Sequence, residues 1–150
     1  MSDTHQFCTF TLHHFTFGIE VKMIQEVIRY QEMTPVPLAP ATVHGLINLR
    51  GQIVTAIDLR SQLDLPPREG EALPMNVIVR TTDGAVSLLV DEIGDVVEVD
   101  PESYERPPET LEGKARELVT GVYKLDDRLL LILDVAGAVS IASPLHETHA

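Results

Sequence analysis

Apolar and polar residues alternate with a period of two along much of this chain, which is the mark of half-buried strands. Gln6 to Leu12 and Phe15 to Glu20 both show it, with His13-His14 at the reversal between them, and together they predict a hairpin. Val21 to Glu26 has room for one helical turn before Val27 to Arg29 extends again. Thr34 to Pro40 carries three prolines and must be an extended connector, poor in ladder hydrogen bonds. Gly45 to Ile57 predicts a second hairpin. Asp58 then reads as the N-cap of a short helix, Leu59 to Leu63, its carboxylate accepting from the free amides of the first turn. Asp134 has the same place before Val135 to Ala142. Leu65 to Pro74, with three prolines, a glycine and several charges, is an exposed linker. Beyond it, Asn76 to Thr81 and Ala85 to Val90 are strands about a turn at Asp83-Gly84.

The pattern occurs twice. GLINLRGQIVTAIDL, Gly45 to Leu59, aligns without a gap on GVYKLDDRLLLILDV, Gly121 to Val135. Val21, Ile24, Glu26, Val27 and Ile28 keep the spacing of Val90, Ile93, Asp95, Val96 and Val97. The offsets are 121 − 45 = 76 and 90 − 21 = 69, so the copies run in the same order with a connector seven residues longer in the second. One small β unit is built twice. Each copy offers about five short strands, too few for an open sheet with two bare edges. Closing each into a small barrel removes the edges, and apolar surface shared between the barrels completes the core. The expected fold is therefore all-β, two intertwined five-stranded barrels with short helices. Subdomain 1 covers about 15–75 and subdomain 2 about 76–135, with the N-terminal strand 6–12 and the C-terminal helix 135–142 completing them. The copies differ most in their hairpin turns, Arg50-Gly51 against Asp126-Asp127. Both suit two-residue turns, because Gly and Asp tolerate positive φ, but only the first places an arginine there.

Composition narrows the class. The 150 residues are 44% apolar, enough for one ordinary domain or two small interlocked ones. The start of the chain is polar and lacks the basic and apolar regions of a signal peptide. The longest aliphatic run, Leu129 to Leu133, is far short of the roughly 20 residues a membrane span needs. A soluble, cytoplasmic protein with no direct membrane insertion is expected. The lone Cys8 excludes an internal disulfide and shares a strand side with Phe10 and Leu12, so it reads as a buried, inert thiol. The net charge is −12, concentrated in the second half, with Asp91 to Glu117 the most acidic stretch. Such a field repels phosphate backbones, so no nucleic-acid partner is expected, and the stretch itself reads as a solvated face.

Catalysis has little to stand on. His13 and His14 sit at a turn, His44 stands alone, and His5, His146 and His149 lie near the ends of the chain, in no spacing that zinc requires. Asp58 and Asp134 are explained as helix caps, and no glycine-rich loop opens a helix to cradle phosphate. No catalytic residue, metal or cofactor is expected, and a binding protein is favoured over an enzyme. A barrel that binds RNA or sugars would show a basic or aromatic strand face. This chain has no tryptophan and 5% aromatic residues.

The run VPLAPATVHGLINLRGQIVTAIDL, Val36 to Leu59, with the preceding GIEVKMIQEV, Gly18 to Val27, resembles the CheW family of chemotaxis coupling proteins. LLVDEIGDVVEV, Leu88 to Val99, and the closing GVYKLDDRLLLILDV resemble the second half of that family, so the likeness covers roughly residues 6 to 140. It implies two SH3-like barrels about a shared core. It also implies a non-enzymatic adaptor that joins the cytoplasmic helices of methyl-accepting chemoreceptors to the regulatory domain of a CheA-type histidine kinase. The work would be done in the cytoplasm, at membrane-associated receptor arrays, with assembly into rings. By the resemblance, Glu26 and Arg50 form an ion pair tied to coupling. Ile24 and the opposing Val96 line an apolar groove for the receptor helix, and Gly45 is a backbone requirement of the NLRG approach. Ile53 and Val77, with Arg106 and Leu111 in the second unit, are candidates for the kinase face. Thr55 stands where many members have proline. The short approach to the first strand and the tail His146 to Ala150 imply a free-standing coupler. The alternative is an array component of the same fold that binds receptor without kinase, or a coupler for a pathway controlling pili, surface motility or a second messenger.

Overall fold

The computed structural model describes residues 5–67, 70, 73–82, 84–107, 109, 111 and 113–140, leaving aside the side chain of residue 5. A hairpin of β1 (His5–Leu12) and β2 (Phe15–Glu20) leads through a 3-10 turn, Val21–Met23, into β3 (Ile24–Ile28). After the proline connector come β4 (Val43–Leu49), β5 (Gln52–Asp58) and a four-residue helix α1 (Leu59–Gln62). The hairpin β6 (Met75–Thr81) and β7 (Gly84–Val90) follows, then β8 (Glu92–Val99), the short β9 (Tyr104–Glu105) and α2 (Gly113–Glu117). β10 (Val119–Lys124), β11 (Leu129–Leu133) and α3 (Val135–Val139) complete the order. One sheet runs β3-β6-β7-β5-β4 and the other β8-β1-β2-β11-β10-β9.

Strand pairing shows how the repeat is built. Phe10 pairs with Phe17 in one hairpin and Val79 with Val86 in the other, each pair 69 residues apart from its counterpart (79 − 10 = 86 − 17 = 69). The repeat therefore includes the hairpins β1–β2 and β6–β7, which share almost no residue types. Each copy lends this first hairpin to the other copy's sheet: β1–β2 joins β8, β10 and β11, while β6–β7 joins β3, β4 and β5. The strand pairing thus runs across the expected division at residues 75 and 76. The two halves are interlocked by exchange. In each sheet the borrowed hairpin meets its host through a parallel pair, β5 with β7 and β11 with β2.

The largest apolar cluster fills the space between the sheets, with Phe10, Phe17, Ile57, Val77, Leu88 and Leu131 among its buried members. Phe10 and Phe17 stack there, ring centroids 5.8 Å apart. β1 is flanked by β8 and β2 in its sheet and is buried on both faces, Cys8 and Thr9 alike. Burial also raises the Cys8 thiol pKa, in keeping with an inert thiol. Gln62 on α1 donates to the Ala138 carbonyl on α3 at 3.1 Å, tying the two helices together.

A smaller cluster lies inside each sheet. Ile28, Ile47, Leu49, Val54, Ile78 and Ala85 bring all five strands of the first sheet around one point. Phe7, Val99, Leu130 and Tyr123 bring four of the six strands of the second, β1, β8, β11 and β10, around another. The sheets curl around these clusters, and among the described residues no ladder joins the edge strands of either one. Chain continuity takes its place. The connector after β3 crosses to β4, where Thr34 and Leu46 exchange backbone hydrogen bonds of 2.9 and 2.8 Å. The chain after β8 turns once and crosses to β10 as β9. The crossing explains why both copies keep glycine. A Cβ on Gly45 would lie 2.9 Å from the Thr34 carbonyl oxygen, and one on Gly121 would lie 2.6 Å from Tyr104 Cε1.

The helix caps are as expected: Asp58 accepts from Arg60 N at 3.1 Å and Asp134 from Gly137 N at 3.0 Å. α3 ends its described course at Val139, and the expected extension to Ala142, the tail from residue 141 and Asp83 of the β6–β7 turn lie outside the described residues. The Asp126-Asp127 turn departs from expectation. Neither aspartate has positive φ, and the loop is held by a bond from Leu125 N to the Arg128 carbonyl, 2.8 Å. Without a glycine, a tight primed turn would force two side chains into the left-handed region, so the loop opens.

Candidate functional site

The Arg50-Gly51 turn is the tight one. Leu49 pairs with Gln52, and the two residues between them have φ of 53° and 88°, the pattern of a type I′ turn. Asn48 Oδ1 accepts from Gly51 N at 2.8 Å and locks the turn. Asparagine or glycine would suit position 50 better than arginine, because positive φ crowds a Cβ against its own carbonyl. Arg50 therefore stands at this position against local preference. Its guanidinium reaches Glu26 on β3, from the hairpin tip of β4–β5 to the opposite edge of the same curled sheet.

Glu26 is aimed by a β-bulge. Ile24 pairs with Val79 and Glu26 with Ile78, so β3 carries one residue more than β6 between those points. A bulge re-aims the side chain it carries. The second copy bulges at the corresponding place, where Cys8 pairs with Val96 and Phe10 with Ile93. There, however, Asp95 answers to Glu26 and Asp126 to Arg50, two carboxylates that cannot form a pair. Asp95 instead uses its carbonyl, which accepts from Thr9 Oγ1 at 2.7 Å. The geometry is duplicated and the ion pair is not.

The Arg50 guanidinium holds the Glu26 carboxyl below the ordinary carboxylate range by hydrogen bonding and charge, and Glu26 raises Arg50 in turn. The folded value of Glu26 is depressed, so the pair's contribution is present above the pKa of the unfolded chain and is lost as pH falls through the folded one. A carbon-detected NMR titration of Glu26 should give a midpoint below that of a free glutamate. Arg50→Asn should return the midpoint to the ordinary range while keeping the turn. An unchanged midpoint would mean the pair does not persist in solution.

The other expected site residues divide by burial. Ile24 is half-buried against the main core, while Val96 is 55% exposed and Ile53, two residues past the Gly51 turn residue, is 61% exposed. Arg106 is exposed in the segment after β9. Val77 and Leu111 are corrected: both lie in the main core, at 0% and 2% exposure, and offer no surface to a partner. β6 is flanked by β3 and β7, which leaves its Val77 side chain covered by the second sheet. Gly45 is also buried, and its role is the close approach of Thr34. Ile24 and Val96 lie on β3 and β8, the corresponding edge strands of the two sheets.

Sequence reasoning missed a second ion pair. Arg60 on α1 donates through Nε to Asp91 Oδ1 at 2.9 Å and through Nη2 to Oδ2 at 2.5 Å, with the side chains 12% and 16% exposed. Arg60 Nη1 also donates to the Pro66 carbonyl at 2.7 Å, and Asp91 Oδ2 accepts from His13 N at 2.9 Å. The residues are 31 apart in sequence, and no local pattern joins them. The repeat held a signal, since Lys22 stands where the second copy has Asp91.

Among the described residues, no group of three or more His, Cys, Asp or Glu is placed to hold a metal ion, and no helix is long and apolar enough to cross a membrane.

The family model described as a CheW-like domain matches residues 6–142. The chemotaxis protein CheW of Treponema pallidum is 32% identical over 136 residues, covering 87% of this chain and 79% of that protein. That of Bacillus subtilis is 32% identical over 118 residues, covering 79% and 76%. A crystal structure of the scaffolding protein TtCheW from Thermoanaerobacter tengcongensis superposes with a TM-score of 0.77 at 27% identity, covering 89% of this chain and 86% of that one.

Proposed function

The chain belongs to the family of CheW-like domains, and from that membership we propose that it couples the cytoplasmic helices of chemoreceptors to a CheA-type histidine kinase. Its class is that of a non-enzymatic scaffold of chemotaxis. The observation that carries the finer reading is the Glu26–Arg50 pair, formed in one copy of a duplicated geometry and absent from the other. The pair stands on the surface beside half-buried Ile24, and an apolar position beside fixed charges suits an amphipathic helix with anchors at three- and four-residue spacing. Ile53, on the strand that follows the turn, and Arg106 are the surface positions for the kinase regulatory domain. Both would be met in the cytoplasm, at receptor arrays.

The test is a binding titration of the full chain against a receptor cytoplasmic-tip fragment and, separately, against the kinase regulatory domain. Arg50→Glu should weaken the receptor fragment on the order of tenfold, because it places two carboxylates together at the contact. Arg50→Asn should weaken it less and leave the thermal midpoint unchanged or higher, since asparagine suits the turn. Receptor binding in Arg50→Glu equal to that of the unaltered protein would overturn the reading.

A further inference from the structure

Two stretches of chain carry the backbone from one sheet to the other. The first is Glu20 to Ile24, through the 3-10 turn, and the second is Val90 to Glu92, through Asp91. The repeat makes these crossings equivalent, Lys22 answering to Asp91 (91 − 22 = 69) and Arg60 to Ala136 (136 − 60 = 76). Their chemistry is opposite. At the second crossing Arg60 grips Asp91 at two points, which fixes the plane of the guanidinium against the carboxylate. The same carboxylate accepts from the β1–β2 turn at His13, and Asp91 N donates to the Thr11 carbonyl at 3.0 Å. Asp91 thus binds α1 of one sheet to the hairpin of the other. At the first crossing Ala136 has no charge to offer, and Lys22 is 82% exposed, 3.2 Å from its neighbour Glu20.

We propose that the Arg60–Asp91 pair is the fixed pivot between the two sheets, and that the turn at Val21–Met23 is the compliant crossing. β3 and β8 begin directly after the two crossings and are the corresponding edges of the two sheets. An angular change between the sheets is absorbed at a few residues of a crossing, and it moves these two edges relative to each other. The pair is therefore a positioning device: it sets the spacing of Ile24 and Glu26 on one edge from Val96 on the other. Its functional half rests on the receptor-coupling reading above, and its geometric half does not.

The test uses the full chain with spin labels at Arg80→Cys on β6 and Lys124→Cys on β10, both exposed, in a Cys8→Ala background. Pulsed electron-electron distance distributions are compared for the parent and for Arg60→Lys, which keeps the charge and loses the two-point grip. Asp91→Asn serves as a second variant should Arg60→Lys fold poorly, and Lys22→Ala is the control at the other crossing. The distribution should broaden or gain a second component in Arg60→Lys and Asp91→Asn and stay as in the parent for Lys22→Ala. Affinity for the receptor-tip fragment should fall on the order of fivefold to tenfold in the pivot variants. Affinity for the kinase domain through Ile53, which lies within one sheet, should stay within about twofold of the parent. A distribution unchanged in folded pivot variants overturns the pivot. A broadened distribution with unchanged receptor affinity overturns the positioning role. A parent that binds no receptor fragment overturns the coupling reading and the positioning role together, while the distances still decide the pivot.

Discussion

Gly45→Asp is expected to cost the protein most of its stability. The new Cβ would lie 2.9 Å from both the Thr34 carbonyl oxygen and Met33 Cβ, and the nearer polar atom is backbone that cannot swing aside. A methyl group alone, as in Gly45→Ala, forces the connector away from β4 at about 1–3 kcal/mol, the range for overpacking a closed site. The carboxylate adds the penalty of a buried charge next to a carbonyl oxygen, and a total above roughly 3 kcal/mol follows. Thr34 and Leu46 would then lose their mutual hydrogen bonds, and the first sheet would open at its connector. Urea denaturation measures the loss, and hydrogen exchange at the Leu46 amide locates it. Gly121→Ala supplies the comparison, because its Cβ meets the edge of the Tyr104 ring, a side chain that is 53% exposed and able to turn. It should cost less than Gly45→Ala. Equal midpoints for Gly45→Ala and the parent would remove the close approach as the reason for the glycine.

Asp91→Ala is expected to follow, at about 2–4 kcal/mol. Removing one member of a buried ion pair leaves the other charge desolvated, which typically costs 3–5 kcal/mol, and the residual exposure of Arg60 lowers the figure somewhat. The His13 amide loses its acceptor in the same change. With a urea slope of about 2 kcal/mol/M, the midpoint should fall by roughly 1–2 M. Asp91→Asn keeps an acceptor for His13 and should fall less. Lys22→Ala, at the equivalent crossing, removes only an exposed charge and should stay within about 0.5 kcal/mol. If Asp91→Ala and Lys22→Ala were alike, the two crossings would be energetically equivalent and the asymmetry between them would have no mechanical meaning.

The candidate site was half legible in the sequence. Arg50 stood out because its copy of the turn differs from Asp126-Asp127, and the structure adds that arginine occupies a left-handed position it does not favour. Glu26 entered through family resemblance, and the bulge that aims it is a feature of register between β3 and β6, which are distant in sequence. Val77 and Leu111 read as surface candidates by motif and are core. A strand residue at a given parity faces inward or outward according to what covers its sheet, and β6 is covered by the sheet that the exchanged hairpin belongs to. Arg60 and Asp91 were invisible for a related reason. Each is unremarkable locally, as a helix residue and a turn residue, and they meet because α1 packs where the chain changes sheets.

Alternation, capping aspartates and turn residues are local physics: they depend on neighbours within a few positions, so they fixed the hairpin strands, the helix starts at Asp58 and Asp134, and the presence of two copies from the amino-acid order alone, but not the short β9 and α2. Which hairpin belongs to which sheet is decided by burial of apolar area between the sheets, a quantity shared by residues far apart in the sequence. The hydrophobic effect is non-directional and rewards any partner that excludes water, so periodicity marks a buried face without naming what buries it. The exchange of hairpins, the crossing connectors over Gly45 and Gly121, and the grip of Arg60 on Asp91 all belong to that second kind. They are set by packing density and desolvation, which exist only once the two copies have closed on each other.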